Sequence, residues 1–193
     1  QEYIKVLMHV LANSLNPDKV YIVTGGTNFG VEKTMHEAIH DRNQNNEKQM
    51  MLLGTLTMEA ADNSANGVQE NTITHATILD LNGRKAQNWE DLPSTQLEYV
   101  RQRKGTMIAI GGGNTVNNMI QKGHNLGIDM HLMDGPSGAS TEKSKSLAGN
   151  GYSFKTIEEL IEKMYLSDKT IFNEEFNIEN INEYINLAKN QIE

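Results

Sequence analysis

The sequence predicts an α/β fold: a three-layer sandwich with a mostly parallel sheet and a helical C-terminal extension. Three observations carry this. Short apolar, β-branched runs alternate with stretches of helical spacing, the pattern of a parallel sheet covered on both faces. Two of those runs end in glycine clusters that lead directly into helices. Residues 174–192 keep a helical stripe of Ile178, Ile181, Ile185, Ala188 and Ile192.

Along the chain, residues 4–15 place Ile4, Leu7, Met8, Leu11 and Leu15 on one helical face. Asn16-Pro17-Asp18 breaks that helix. Val20 to Thr24 reads as a strand, Gly25 to Gly30 as a glycine loop, and Val31, Met35, Ala38 and Ile39 as a helix out to about Arg42. The polar stretch 41–48 reads as a loop, 51–57 as a strand, and 59–75 as a long loop. Residues 76–81 are expected to form a strand, 84–94 a loop, and 95–104 a helix. Thr106 to Ile110 is a buried-type strand that ends in Gly111-Gly112-Gly113-Asn114-Thr115. Val116, Met119 and Ile120 open the next helix, closed by Gly123 or Gly127. Ile128 to Met133 is a strand followed by Asp134-Gly135-Pro136-Ser137-Gly138. Residues 152–154 form a last short strand, and Ile157, Leu160, Ile161 and Met164 mark a helix.

A chain of 193 residues can bury a full core. Its 17 Lys and Arg stand against 25 Asp and Glu, a net charge of −8. That disfavours a nucleic-acid surface or an anionic membrane as partner. It leaves open a small anion held by backbone amides. With no cysteine there is no disulfide, thiolate metal site or Cys nucleophile. No run of 18 apolar residues offers a membrane span, and a cytoplasmic protein is expected. The 22 asparagines read first as a composition bias.

The two glycine clusters carry the chemistry. Glycine lets the backbone turn sharply and a ligand come close. The helix that follows aims free N–H groups and the positive end of its dipole at whatever sits there. Two such loops on one sheet edge would cradle a phosphate or diphosphate. The first is not a P-loop, because Val31-Glu32 follows Gly30 where Lys-Ser/Thr is needed, and its GGxxxG spacing is not GxGxxG.

At these residues, "YIVTGGTNFGVEKTMHEAI" followed some eighty residues later by "IAIGGGNTVNNMI" resembles the SLOG superfamily. That group includes the LOG (lysine-decarboxylase-like) phosphoribohydrolases and the N-terminal nucleotide-sensing domain of TRPM channels, the branch this chain is most similar to. The resemblance spans residues 1–165, with 166–193 as the helical extension. It implies a Rossmann-like fold binding ADP-ribose, an NAD-like molecule or a nucleoside monophosphate across both loops. It assigns ligand contact to Gly25, Gly26, Thr27, Asn28 and Gly30, and to Gly111, Gly112, Gly113, Asn114 and Thr115. LOG enzymes carry PGGxGTxxE at the second loop. Here Ile110 stands for the proline, Asn114 for the third glycine and Asn118 for the catalytic glutamate, while Thr115 is kept. The catalytic residue is therefore unknown, and a sensor or capture domain is expected ahead of an N-glycoside hydrolase with an altered catalytic residue.

Three further features stay open. Glu32 is either a dipole-stabilising carboxylate or a ribose-hydroxyl acceptor. Asp134 and Ser137 lie either in a plain turn or in a third wall of the site. His36 and His40, at i and i+4, read as solvent-face residues ahead of a metal pair, and no metal or required cofactor is expected. A glycine-ended strand usually precedes the first helix in the family. The chain is thus expected to take that strand from upstream of Gln1, to cover the gap as a homo-oligomer, or to order its sheet differently.

Overall fold

The computed structural model describes residues 1–25, 30–55, 92–135, 137–147 and 152–192. It has the expected α/β class: the described strands pair in parallel, and helices separate them along the chain. No helix among the described residues is long and apolar enough to cross a membrane. The chain divides into two units. The first holds the described residues up to Thr55 and from Ile161 onward, the second those from Leu92 to Leu160. The strand expected at 76–81, the loop expected at 59–75 and residues 84–91 of the loop expected at 84–94 lie outside the described residues, whereas residues 92–94 of that loop are helical.

In the first unit, α1 (Glu2–Ser14) packs against both α2 (Gly30–Asn45) and the C-terminal helix α7 (Ile181–Ile192). A helix flanked on two sides cannot stay amphipathic. Val6 and Val10 are buried along with Leu7, Met8 and Leu11, while Ile4 is only half-buried. Burial thus runs around more of the helix than the single face its spacing predicts. His9, also buried, links α1 to α2, with Nε2 3.2 Å from Asp41 Oδ2 and Nδ1 2.9 Å from the Lys5 carbonyl.

Strands β1 (Ile22–Thr24) and β2 (Leu52–Gly54) pair in parallel with Ile22 opposite Leu52 and Thr24 opposite Gly54. α2 runs three residues past its expected end. Its last turn is polar, yet the carboxamides of Asn45 and Asn46 donate to the Asp41 and Arg42 carbonyls at 2.8 Å each. The second of these satisfies an acceptor that a helix end leaves open.

The C-terminal stripe is covered within the chain. Ile181, Ile185 and Ala188 are buried, and α7 lies on α1. The helix starts at Ile181 rather than 174, because Asn177 accepts the Glu179 amide at 3.1 Å and closes a separate 3₁₀ turn over Ile178–Asn180. Before it, the segment around Phe172 closes the end of α1. Leu15 bridges Phe172, Asn16 N–H donates to the Ile171 carbonyl at 2.8 Å, and the Asn173 amide and side chain donate to Ser14 and Asn13 carbonyls. Phe172 stacks on Phe176 at 4.7 Å, with Tyr165 and Tyr184 ringed about them at 5.4 and 4.9 Å from their nearest partners.

In the second unit, β3 (Thr106–Ala109), β4 (Asp129–Met133) and β5 (Ser153–Phe154) form a parallel sheet in that order. The chain passes between them through α4 (Asn114–Asn125) and α5 (Ala139–Ser146), with α3 (Leu92–Gln102) before β3, and after β5 comes α6 (Ile157–Ser167), whose residues from Ile161 belong to the first unit. Leu97, Ala109, Ile120, Ile128, Met130 and Leu132 make the core, and each fully buried side chain contributes about 1.5–3 kcal/mol. α5 has no counterpart in the apolar pattern. Its sequence, ASTEKSKS, lacks any hydrophobic period, and it buries Ala139 and three hydroxyl side chains instead.

The aromatic group makes a direct test of the first unit. Phe172→Ala empties the centre of that cluster and is expected to cost about 3–5 kcal/mol in urea unfolding. A loss under about 1 kcal/mol would show that the cluster is not what fixes the C-terminal segment.

Candidate functional site

The first glycine loop begins where β1 ends. The Thr24 carbonyl accepts both the Thr55 amide (2.9 Å) and the Thr55 hydroxyl (2.6 Å), and Thr24 Oγ1 lies 2.7 Å from His36 Nε2. His36 and Thr55 are fully buried, so the expectation of a solvent-facing His36 is corrected: its ring supports the strand end. His40 Nε2 instead lies 2.8 Å from the Gln44 side chain. Gly25 N–H donates to Glu32 Oε1 at 3.1 Å, and a Cβ on Gly25 would collide with that carboxylate. Glu32 therefore turns back from the first turn of α2 onto the loop's own backbone. Gly30 opens α2 with φ +54°. Gly26, Thr27 and Asn28 lie outside the described residues.

The second loop is described in full. Gly111 and Gly112 adopt φ +63° and +88°, a region costly for any residue with a Cβ. At Gly112 a Cβ would also lie 2.5 Å from Val116 Cβ. This turn aims the Gly112 and Gly111 carbonyls at the start of α5, where they accept the Ala139 (2.9 Å) and Ser140 (3.0 Å) amides. The Ser140 hydroxyl completes the junction: it accepts Gly111 N–H at 2.7 Å and donates to the Met133 carbonyl at the end of β4 at 3.0 Å. Gly138 must be glycine, because a Cβ there would lie 3.0 Å from the Gly111 backbone.

The two helix N-termini of this edge thus have different fates. That of α5 is spent on the glycine loop. Among the described residues that of α4 is open: no side chain caps it, its first turn holds no acid, and Asn117 N–H donates to the Gly113 carbonyl. The Asn114, Thr115 and Val116 amides lack an intrahelical partner, as at every helix start. Gly112, Gly113, Asn114, Thr115 and Asn118 are exposed, and Asn118 follows Asn114 by one turn on the same face. The arrangement can hold an anion on backbone amides, flanked by neutral amide and hydroxyl side chains.

Asp134 and Ser137 sit beside the same loop. The Asp134 carboxylate is 3.7 Å from Lys155 and 4.0 Å from Lys145. The Ser137 carbonyl accepts the Thr141 hydroxyl at 3.1 Å, which in turn accepts Gly135 N–H. The structure therefore groups Gly111 to Thr115, Asn118, Asp134 and Ser137 in one unit, and Gly25, Gly30 and Glu32 in the other. It adds Ser140, Thr141, Thr55 and His36, which are supports rather than contacts. The run Gly-Ala-Ser-Thr at 138–141 was the available signal, a glycine and two hydroxyls at a strand-to-helix junction.

Ser140→Ala leaves the half-buried Gly111 N–H and Met133 carbonyl without this partner. It is expected to cost about 2 kcal/mol, read from chemical denaturation. A change below about 0.5 kcal/mol would show that the hydroxyl does not hold the loop. No protein-family model matches the chain, and no curated protein matches it in sequence.

Proposed function

We propose that this chain is a SLOG-type nucleotide-binding domain that captures or senses a nucleotide-derived ligand in the cytoplasm. The ligand is of the ADP-ribose, NAD-like or nucleoside monophosphate class, bound through the glycine-rich strand-to-helix loops. One observation supports this above the rest: the open, uncapped and acid-free N-terminus of α4, set behind two left-handed glycines. In that place a phosphate would take up the free amides and gain from the helix dipole, with nothing of like charge in the first turn.

Gly113 is the position for a clean test. Its φ of −105° suits any residue, and nothing stands within 4 Å of a Cβ there. Gly113→Asp puts a carboxylate at the N-cap, where it satisfies the amides itself and repels phosphate. Stability is expected to shift by only a few tenths of a kcal/mol. Affinity for ADP-ribose and AMP is expected to fall by about tenfold or more, equivalent to 1.4 kcal/mol. Calorimetry on both proteins decides. Wild-type affinity in the variant, or no binding by the wild type, would end the assignment.

LOG-type hydrolysis is not expected. Asn118 stands where those enzymes carry glutamate, and a neutral amide cannot stabilise a developing cationic sugar or activate water. Incubation with AMP, ADP-ribose and NAD should release no free base above background by chromatography. Steady release of adenine or nicotinamide would favour the hydrolase reading instead.

A further inference from the structure

The first unit contains a second feature, separate from the glycine loops. A cleft of about 380 Å³ opens between the end of α1, the turn after α2 and the segment after Phe172. Arg42 lines it and is only 5% exposed. Its Nη1 donates to the Lys48 carbonyl at 2.7 Å and to Asn43 Oδ1 at 3.4 Å, both uncharged. Among the described residues, Nε and Nη2 donate to nothing and no carboxylate pairs with the guanidinium. Burial without an anion lowers its pKa from the usual value.

Arg42 is enclosed while Nε and Nη2 stay within reach of solvent, and an arginine so enclosed without a counter-charge is uncommon. Holding the Lys48 carbonyl does not call for an arginine, since one neutral donor would do. Asn43 already ties the same turn, accepting Met50 N–H at 2.7 Å and donating to the Met50 carbonyl at 3.0 Å. The two unused donors, Nε and Nη2, are one edge of the planar fork that matches a carboxylate.

The rest of the lining asks for the opposite charge. Asp18, Glu47, Glu174 and Glu175 line the cleft against only Arg42 and Lys48, and Lys48 is already paired with Asp18. The carboxamides of Asn13, Asn46 and Asn173 each donate to a nearby acceptor, and their oxygens have no donor among the described residues. Such a lining repels phosphate and dicarboxylates and welcomes ammonium donors.

We propose that this cleft binds a free α-amino acid, its carboxylate on Arg42 and its ammonium among the rim carboxylates and amide oxygens. Amino acids with a basic side chain bind best, because they offset the excess negative charge. The volume suits a ligand of that size. This site stands apart from the nucleotide reading and does not depend on it.

The test uses the full chain and calorimetry, with L-lysine, L-alanine, lysine methyl ester, 1,5-diaminopentane, acetate and inorganic phosphate. L-lysine should bind, L-alanine more weakly, and the ester and diamine at least about tenfold more weakly than lysine because they lack the carboxylate. Arg42→Lys keeps the charge without the fork and should lose lysine binding by a similar factor. If that variant does not fold, the exposed pair Glu174→Gln and Glu175→Gln serves in its place, weakening lysine several-fold with no change in thermal stability. Equal binding of lysine and diaminopentane would reduce the cleft to a cation-collecting surface and overturn the proposal. So would tighter binding of phosphate than of any amino acid, or no binding of amino acids at 10 mM (about 2.7 kcal/mol of affinity).

Discussion

The left-handed turn at Gly111 and Gly112 sets the direction of every donor and acceptor at the second glycine loop. With φ at +63° and +88°, both carbonyls swing toward α5 and take its first two amides. α5 is a poor helix by sequence. It has no apolar period, and four of its eight residues are Ser or Thr, types that compete with the helix for hydrogen bonds. Its start is fixed by the loop, and the loop is fixed in return by the Ser140 hydroxyl on Gly111 and Met133. Neither element would hold its shape alone. The consequence for chemistry is that the glycine carbonyls face inward and the amides of α4 are left outward.

The first unit solves a related problem with carboxamides. α1 ends at Ser14, and of its last carbonyls that of Asn13 is taken by the Asn173 side chain and that of Ser14 by the Asn173 amide. α2 ends at Asn45, closed by Asn45 and Asn46, with Asn43 bracing the turn to Met50. Asparagine suits these places because one side chain can both donate and accept. Part of the asparagine excess in the sequence therefore has a structural use, and the first unit holds its two ends together through it.

The α/β class, the order of the described strands and helices, and the glycine turns at the strand ends were legible because they depend on local signals. A β-branched run followed by glycine and then helical spacing has few other solutions. What was not legible depends on partners distant in sequence. α5 shows no apolar periodicity, since it buries hydroxyls, of which that of Ser140 bonds the glycine loop. His36 is polar and sits on a helix with few apolar residues, so nothing local reveals that Thr24 draws it inward. The last turn of α2 reads as loop because its residues are polar, although polarity at a solvated helix end carries no information about where the helix stops. At the glycine loops, the strand-to-helix junctions could be read, whereas Ser140 and Thr55, which brace them, could not.

The two loops also differ in what they can hold. The chain carries a net charge of −8, so an anion must be held by local donors, since charges beyond about 8–10 Å are screened. At the first loop the Gly25 amide is already engaged by Glu32, and an arriving anion would have to displace a carboxylate of its own sign. At the second, no described side chain caps the amides at the start of α4, and Asp134 at the end of β4 is flanked by two lysines. A phosphate is therefore better placed at α4. The first loop, with a carboxylate at hand, is better matched to a group that donates, such as a sugar hydroxyl. Two motifs that look alike in sequence are made chemically unlike by one residue in the first turn of each helix: Glu32 in α2, and no acid at all in α4.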